Sequence, residues 1–208
     1  MASRAPPIFP VAGSAPAGLG VFAGSLPGTH SPDDLGPIAP LTLPATRHEL
    51  FARFDALGIA TTTVDHEAVF TVAESAKLEQ ALPGGHTKNL FLRDGDGRLF
   101  LVVALMHARI DLKNLRRVLG AQRLSFGKPE LLIEVLGVPA GSVTPFAVIN
   151  DSARRVTVIL DADMMGYERL NFHPLENTAT TNIARGDLVR FIRACGHEPR
   201  ILAVASGS

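Results

Sequence analysis

The chain has 208 residues carrying 20 basic and 20 acidic side chains, enough length for one well-cored domain and a charge balance that excludes nucleic-acid binding through bulk positive charge. Any nucleic-acid contact must therefore be local. A single cysteine, Cys195, excludes an internal disulfide, a zinc ribbon and a C-x-x-C redox pair, and points to a reducing, cytoplasmic setting.

Residues 1–45 hold nine of the fifteen prolines, six of the nineteen glycines and one basic residue, Arg4. Proline removes backbone donors and glycine raises the entropy lost on ordering, so this segment is expected to be a flexible extension rather than core. Its apolar patch, "GLGVFAGSLPG", is too interrupted for a bilayer span, which needs about 20 mostly apolar residues, and it has no cationic start of the secretory kind. The folded domain is expected over residues 46–208, with 19 basic and 18 acidic residues.

That domain should open with a helix in "TRHELFARFDALG". Thr46 and Glu49 have capping-box spacing, Leu50, Phe51, Phe54 and Leu57 recur at helical intervals, and Gly58 can close the last turn. "IATTTVDH" alternates β-branched residues and reads as a strand ending at His66. A second helix is expected from Thr71 to Leu82, broken by Pro83-Gly84-Gly85. "NLFLRDGDGRLFLVVAL" reads as a central hairpin turning at residues 94–97. "DLKNLRRVLG" and "KPELLIEVLG" are short helices, the first with Asp111 before it and Gly120 after it, the second with Pro129 in its first turn, and "AQRLSF" between them is a short edge strand. Strands follow in "RRVTVILDAD", "RLNFHP" and "ENTATTNI", then the helix "RGDLVRFIRACG" and a last strand in "PRILAVA". Without a regular βαβα period, this order predicts an α/β chain of the α+β type: a mixed, largely antiparallel central sheet with helices packed around it.

H-E-x-x-H, G-x-x-x-x-G-K-[ST], G-x-S-x-G and G-x-G-x-x-G motifs are all missing, and no two of the seven histidines have metal-ligand spacing on one helix. No metal or cofactor is expected. Three stretches carry polar groups suited to a site. In "LPGGHTKNLFLRD", Lys88 and Asn89 precede an apolar run; they either begin a strand in solvent or form a pocket rim, where a cation and an amide bind a phosphate, carboxylate or carbonyl. In "GVPAGSVTPF", Gly141 permits close backbone approach and the N–H groups of Ser142 to Thr144 could face a developing oxyanion; the plainer alternative is a connecting loop stiffened by proline. In "NFHPLENTATT", His173 is either a proton-exchanging group or a satisfied histidine before Pro174.

Together, "VFTVAES", "HTKNLFLRD", "GSVTPF" and "FHPLENTATT" resemble the YbaK and prolyl-tRNA synthetase-associated editing-domain family, from about Thr46 to the last strand. Within it the chain is most similar to the freestanding deacylases that clear alanine mischarged onto proline tRNA. The resemblance implies a YbaK-like fold and a metal-free hydrolase of the ester between an amino acid and the terminal adenosine of tRNA. It assigns Lys88 to holding the terminal nucleotide and orienting the ester, with Asn89 beside it. Gly141, Ser142, Val143, Thr144 and Pro145 match the family's G-x-x-x-P loop, which shapes the aminoacyl pocket, and His173 positions the substrate.

The implied partner is the acceptor end of proline tRNA, with prolyl-tRNA synthetase or an elongation factor as transient company. Arg109, Lys113, Arg116 and Arg117 in "ARIDLKNLRRVLG" offer a local basic surface for acceptor-stem phosphates, or simply a solvated helix face. Cys195 reads as a small core residue rather than a nucleophile. Two other functions fit the same residues: a deacylase for cysteine or another small amino acid on proline tRNA, and a non-catalytic tRNA- or synthetase-binding module.

Overall fold

A computed structural model describes residues 43–68 and 80–205. Most of the extension expected over residues 1–45 lies outside the described residues, as does the body of the helix expected from Thr71; only its end, residues 80–82, is described.

The first helix, α1 (Arg47–Ala56), starts as its spacing predicts. The Thr46 hydroxyl accepts from the Glu49 N–H at 3.3 Å while the Glu49 carboxylate accepts from the Thr46 N–H at 2.7 Å, so two donors left over at the helix start are satisfied reciprocally. Its buried residues, Leu50 and Phe54, face the core, where the Phe54 ring meets Phe146 and Phe191 edge-on at 5.1 and 5.0 Å. Edge-to-face geometry sets the positive ring edge against the negative ring face. Phe172 joins this cluster through Phe146 at 5.4 Å.

The strands are β1 (Thr61–Asp65), β2 (Gly85–Arg93), β3 (Leu99–Leu105), β4 (Ser125–Phe126), β5 (Val156–Asp161), β6 (Arg169–Phe172), β7 (Ala179–Ala184) and β8 (Arg200–Leu202). Between them lie α2 (Leu112–Leu119), α3 (Pro129–Leu136), α4 (Arg185–Ala194) and two 3-10 turns, Pro145–Asn150 and Met164–Gly166. All strands belong to one sheet in the order β1-β7-β6-β2-β3-β5-β8, with β4 added to β2. Four pairings are antiparallel (β1–β7, β6–β7, β2–β3, β2–β4) and three parallel (β2–β6, β3–β5, β5–β8). The expected mixed, mainly antiparallel sheet is present. Every residue of β3 is buried, as expected of a strand covered on both faces and reading "LFLVVAL".

The hairpin turn is organised by Asp94, whose carboxylate accepts from the N–H groups of Asp96, Arg98 and Gln122. Burial pushes this carboxyl up, but the Arg98 and Gln122 N–H groups and the Arg98 guanidinium outweigh it and hold its pKa below the usual value.

One departure from the sequence expectation sets up the site. The strand does not begin at the apolar run from Asn89 but at Gly85, so Lys88 and Asn89 are interior strand residues. Polar residues are tolerated there because they find partners: the Thr87 hydroxyl donates to the Asn171 carbonyl at 2.7 Å, and the His86 ring bonds the Leu82 carbonyl at 3.2 Å.

Candidate functional site

Strand β2 uses its two edges differently. Along one edge it pairs with β3 throughout; along the other it meets β6 only at Gly85 and His86, and β4 only at Leu92 and Arg93. The Met106 N–H donates to the His86 carbonyl, which fixes the ladder's phase and turns the main chain of His86, Lys88 and Leu90 toward β3. Asn89 therefore directs its main-chain N–H and C=O into the break between β6 and β4. A break in the middle of a sheet is a place where backbone groups are available to a ligand.

The three polar stretches meet at this break. The Asn89 side chain donates to the Val143 carbonyl at 2.9 Å, which ties the glycine loop to β2. Its Oδ1 is buried and has no hydrogen-bond partner among the described residues. Gly141 has φ +91°, a conformation that L side chains rarely adopt, and the Asn177 amide nitrogen lies 3.7 Å from where its Cβ would stand, so the loop touches the turn after His173.

Lys88 and Asn89 do not form one rim, as their adjacency suggested. Successive strand residues point to opposite faces, so Asn89 meets the glycine loop while the Lys88 ammonium donates to the Ala108 carbonyl beyond the end of β3. The loop also differs from its expected form. The Ser142 N–H is taken by the Pro139 carbonyl at 3.1 Å, so the run of free N–H groups expected from Ser142 to Thr144 is broken at its first member. Ser142, Thr144 and Pro145 are buried, and the Thr144 hydroxyl caps the following 3-10 turn by accepting from the Phe146 N–H. These residues shape the loop from within, while Val143 contributes its carbonyl to Asn89.

His173 is half-buried at the end of β6, and its Nδ1 lies 2.9 Å from the Ala179 carbonyl. A carbonyl only accepts, so Nδ1 carries the proton and the neutral ring offers Nε2 as an acceptor. Burial pushes the imidazole pKa below 6.5; the Ala179 bond opposes this and nearby His66 reinforces it, so the ring is neutral at pH 7. His66 was legible only as a strand end, yet its ring centroid lies 6.1 Å from that of His173, and its Nε2 bonds the Thr180 hydroxyl at 2.8 Å. Arg47 binds Asp65 and Glu176 at 2.5 and 3.0 Å, bracing β1 against the turn after His173.

The depressed His173 pKa has a defined consequence for stability. Below pH 6.5 the unfolded chain takes up a proton at this residue that the native state resists, so stability present above 6.5 is lost as pH falls toward the native pKa. His173→Gln is expected to lose less melting temperature than the unsubstituted protein between neutral pH and pH 5.5. Parallel pH dependences of the two melting curves would show that His173 carries no such linkage.

A second anchoring network lies under the turn before β2. The Asn182 amide donates to the Pro83 carbonyl and to Asn171 Oδ1 at 2.9 and 2.7 Å, and the Asn171 amide donates to the Leu82 carbonyl at 3.1 Å. Arg169 donates to the side chain and main chain of Asn182. Neither asparagine stood out in the sequence, since the contacts join residues nearly a hundred positions apart.

The basic residues Arg109, Lys113, Arg116 and Arg117 are all exposed. Leu115 and Leu119 bury the opposite face of α2, as the helical period requires, and Arg117 donates to Asn114 Oδ1 at 2.7 Å. Arg109 directly follows the residue whose carbonyl Lys88 holds. Cys195 packs at the edge of the core, where burial pushes its thiol up to about 12 despite the opposing influence of Arg53, a value suited to packing and not to nucleophilic attack. Among the described residues no group of three or more His, Cys, Asp or Glu could hold a metal ion, and no helix is long and apolar enough to cross a membrane.

Fold and site define an α+β domain with a buried amide oxygen and an imidazole beside a break in its sheet and an ammonium on the other face of the same strand. The chain belongs to the aminoacyl-tRNA editing domain family, whose model matches residues 66–191. It is 40% identical over 168 residues to prolyl-tRNA synthetase associated domain-containing protein 1 of Danio rerio, covering 80% of this chain and 90% of that one. It is 36% identical over 152 residues to prolyl-tRNA editing protein ProX of Acetoanaerobium sticklandii, covering 73% and 93%. A solved structure described as a candidate trans-editing enzyme for prolyl tRNA synthetase shares the fold with a TM-score of 0.59 at 21% identity, covering 77% of this chain and 94% of that one.

Proposed function

We propose that the protein is a trans-editing deacylase that hydrolyses the ester of mischarged tRNA, with alanine on proline tRNA as its substrate. The observation that carries this reading is the meeting of three segments at the open stretch of β2: Asn89 is tied to Val143, and Gly141 lies beside Asn177 in the turn that follows His173. The relative named a prolyl-tRNA editing protein supports the proline tRNA part of it.

An aminoacyl ester is already activated, so positioning and charge stabilisation suffice without a covalent intermediate. In this reading the Lys88 ammonium turns from the Ala108 carbonyl to the terminal nucleotide or the ester. Asn89, on the other face of β2, keeps the glycine loop in place through the Val143 carbonyl. Neutral His173 offers Nε2 to a ribose hydroxyl or to water. The exposed row Arg109, Lys113, Arg116 and Arg117 meets acceptor-stem phosphates. Alanine is the expected target because a site built for proline rejects a smaller apolar side chain by only about 1–3 kcal/mol, which a second hydrolytic site must make up.

The test is a side-by-side panel of Ala-, Cys-, Ser- and Pro-tRNA(Pro) with purified protein. Rapid loss of alanine with proline spared is expected. Faster loss of cysteine would move the assignment to that amino acid, and no release above buffer from any ester would remove the catalytic reading.

A further inference from the structure

Asp161, the last residue of β5, is fully buried. One carboxylate oxygen accepts from the Val204 N–H at 3.1 Å; the other, Oδ2, is buried with no hydrogen-bond partner among the described residues. A buried carboxylate with an idle oxygen is costly, and such a group persists where a positive charge offsets it.

The sheet register sets Lys88 in line with it. Lys88 is paired with Ala104 across β2–β3, and one step beyond the Val103–Leu160 pair of β3–β5 brings Ala104 level with Asp161. Laterally adjacent strand residues share a face, so Lys88, Ala104 and Asp161 form a row on one face of the sheet. The two charged residues are separated by two strand spacings, roughly 10 Å between Cα atoms, near enough for their charges to interact through the low-dielectric interior without direct contact. In the strand "LFLVVAL" the residue between them is the single small one; every other position carries a branched or aromatic side chain that would fill the space. Lys88 bonds Ala108 just past the end of β3, the end of the sheet at which Asp161 closes β5.

We propose that Asp161 is the buried counter-charge of Lys88, a positioning residue that holds the ammonium at the mouth of the site. The inference rests on the reading of Lys88 as the substrate-handling cation, and it adds the group that keeps that cation in place between turnovers.

Asp161→Asn keeps the shape and an acceptor for Val204 while removing the charge. With Ala-tRNA(Pro) as substrate, kcat/KM is expected to fall about tenfold or more, divided between kcat and KM in the same way as in Lys88→Ala, because both variants displace the same ammonium. Urea unfolding of four proteins supplies the independent readout: unsubstituted, Asp161→Asn, Lys88→Met and the double variant. Asp161→Asn is expected to destabilise the protein when Lys88 is present and to stabilise it in the Lys88→Met background, where the carboxylate has lost its partner. An equal change in both backgrounds, or an unaltered kcat/KM, overturns the proposal. Asp161→Ser, which also retains an acceptor for Val204, takes the place of Asp161→Asn in both measurements if the latter does not fold. Full hydrolysis by Lys88→Met would instead remove Lys88 from the proposed chemistry, and the unfolding cycle would still decide the charge coupling.

Discussion

Lys88→Ala is expected to lower kcat/KM for Ala-tRNA(Pro) by at least about a hundredfold, the size of effect seen when a group that stabilises transition-state charge is removed. The fold should survive. Lys88 is half-buried and makes a single hydrogen bond, to the Ala108 carbonyl, whose loss costs on the order of 1 kcal/mol. The way the loss divides between the kinetic constants tells what the ammonium touches. A contact to a phosphate of the terminal nucleotide is present equally in ground and transition states, so its removal raises KM and spares kcat. A contact to the ester oxygen strengthens as charge develops, so its removal lowers kcat. Arginine is not expected to restore activity at this position, since its planar fork cannot occupy the place of a compact ammonium at the Ala108 carbonyl. Hydrolysis by Lys88→Ala at the unsubstituted rate, with the circular dichroism spectrum unchanged, would show that the reaction does not use this residue.

Much of the scaffold was legible because its signals are local. Thr46 and Glu49 lie three residues apart and form the capping box their spacing predicts; Asp111 caps α2 and Pro129 begins α3 in the same way. The exposed row Lys113, Arg116 and Arg117 follows from the helical period once Leu115 and Leu119 are buried. The site was legible only as three separate stretches. What joins them is long-range: Asn89 reaches Val143 over 54 positions, and Asn182 reaches Pro83 over 99. Amide side chains are common on surfaces and carry no sequence mark of being buried partners, so Asn171 and Asn182 stayed unseen. His66 met the same fate, since its proximity to His173 depends on the β1–β7 pairing. Lys88 and Asn89 show the opposite error. They are neighbours in sequence, but an alternation of two places them on opposite faces, and the apolar run after them hid the fact that the strand had begun four residues earlier.

That early start rests on Gly84 and Gly85, and Gly84→Ala is expected to cost about 2–4 kcal/mol of stability, combining backbone strain with a steric clash that the structure cannot easily relieve. Gly84 has φ +126°, and an added Cβ would stand 2.5 Å from the Arg169 carbonyl oxygen and 3.0 Å from its carbon. Those are backbone atoms of β6, held by the Arg169–Ala184 pairing with β7 and by the bonds from the Arg169 guanidinium to Asn182. The chain must therefore give on the β2 side, where Gly85 and His86 make the two pairs that join β2 to β6. Weakening that junction widens the sheet beside Lys88, so hydrolysis should fall with stability. Gly120→Ala is the matching control: φ is also positive, at +59°, but no atom lies within 4 Å of the added Cβ. Its expected cost is the left-handed backbone alone, about 1 kcal/mol, with hydrolysis unchanged. Urea unfolding of both variants, read beside deacylation rates, separates the two effects. Equal stability losses in Gly84→Ala and Gly120→Ala would mean that the close approach of Gly84 to Arg169 does not constrain the strand that carries Lys88.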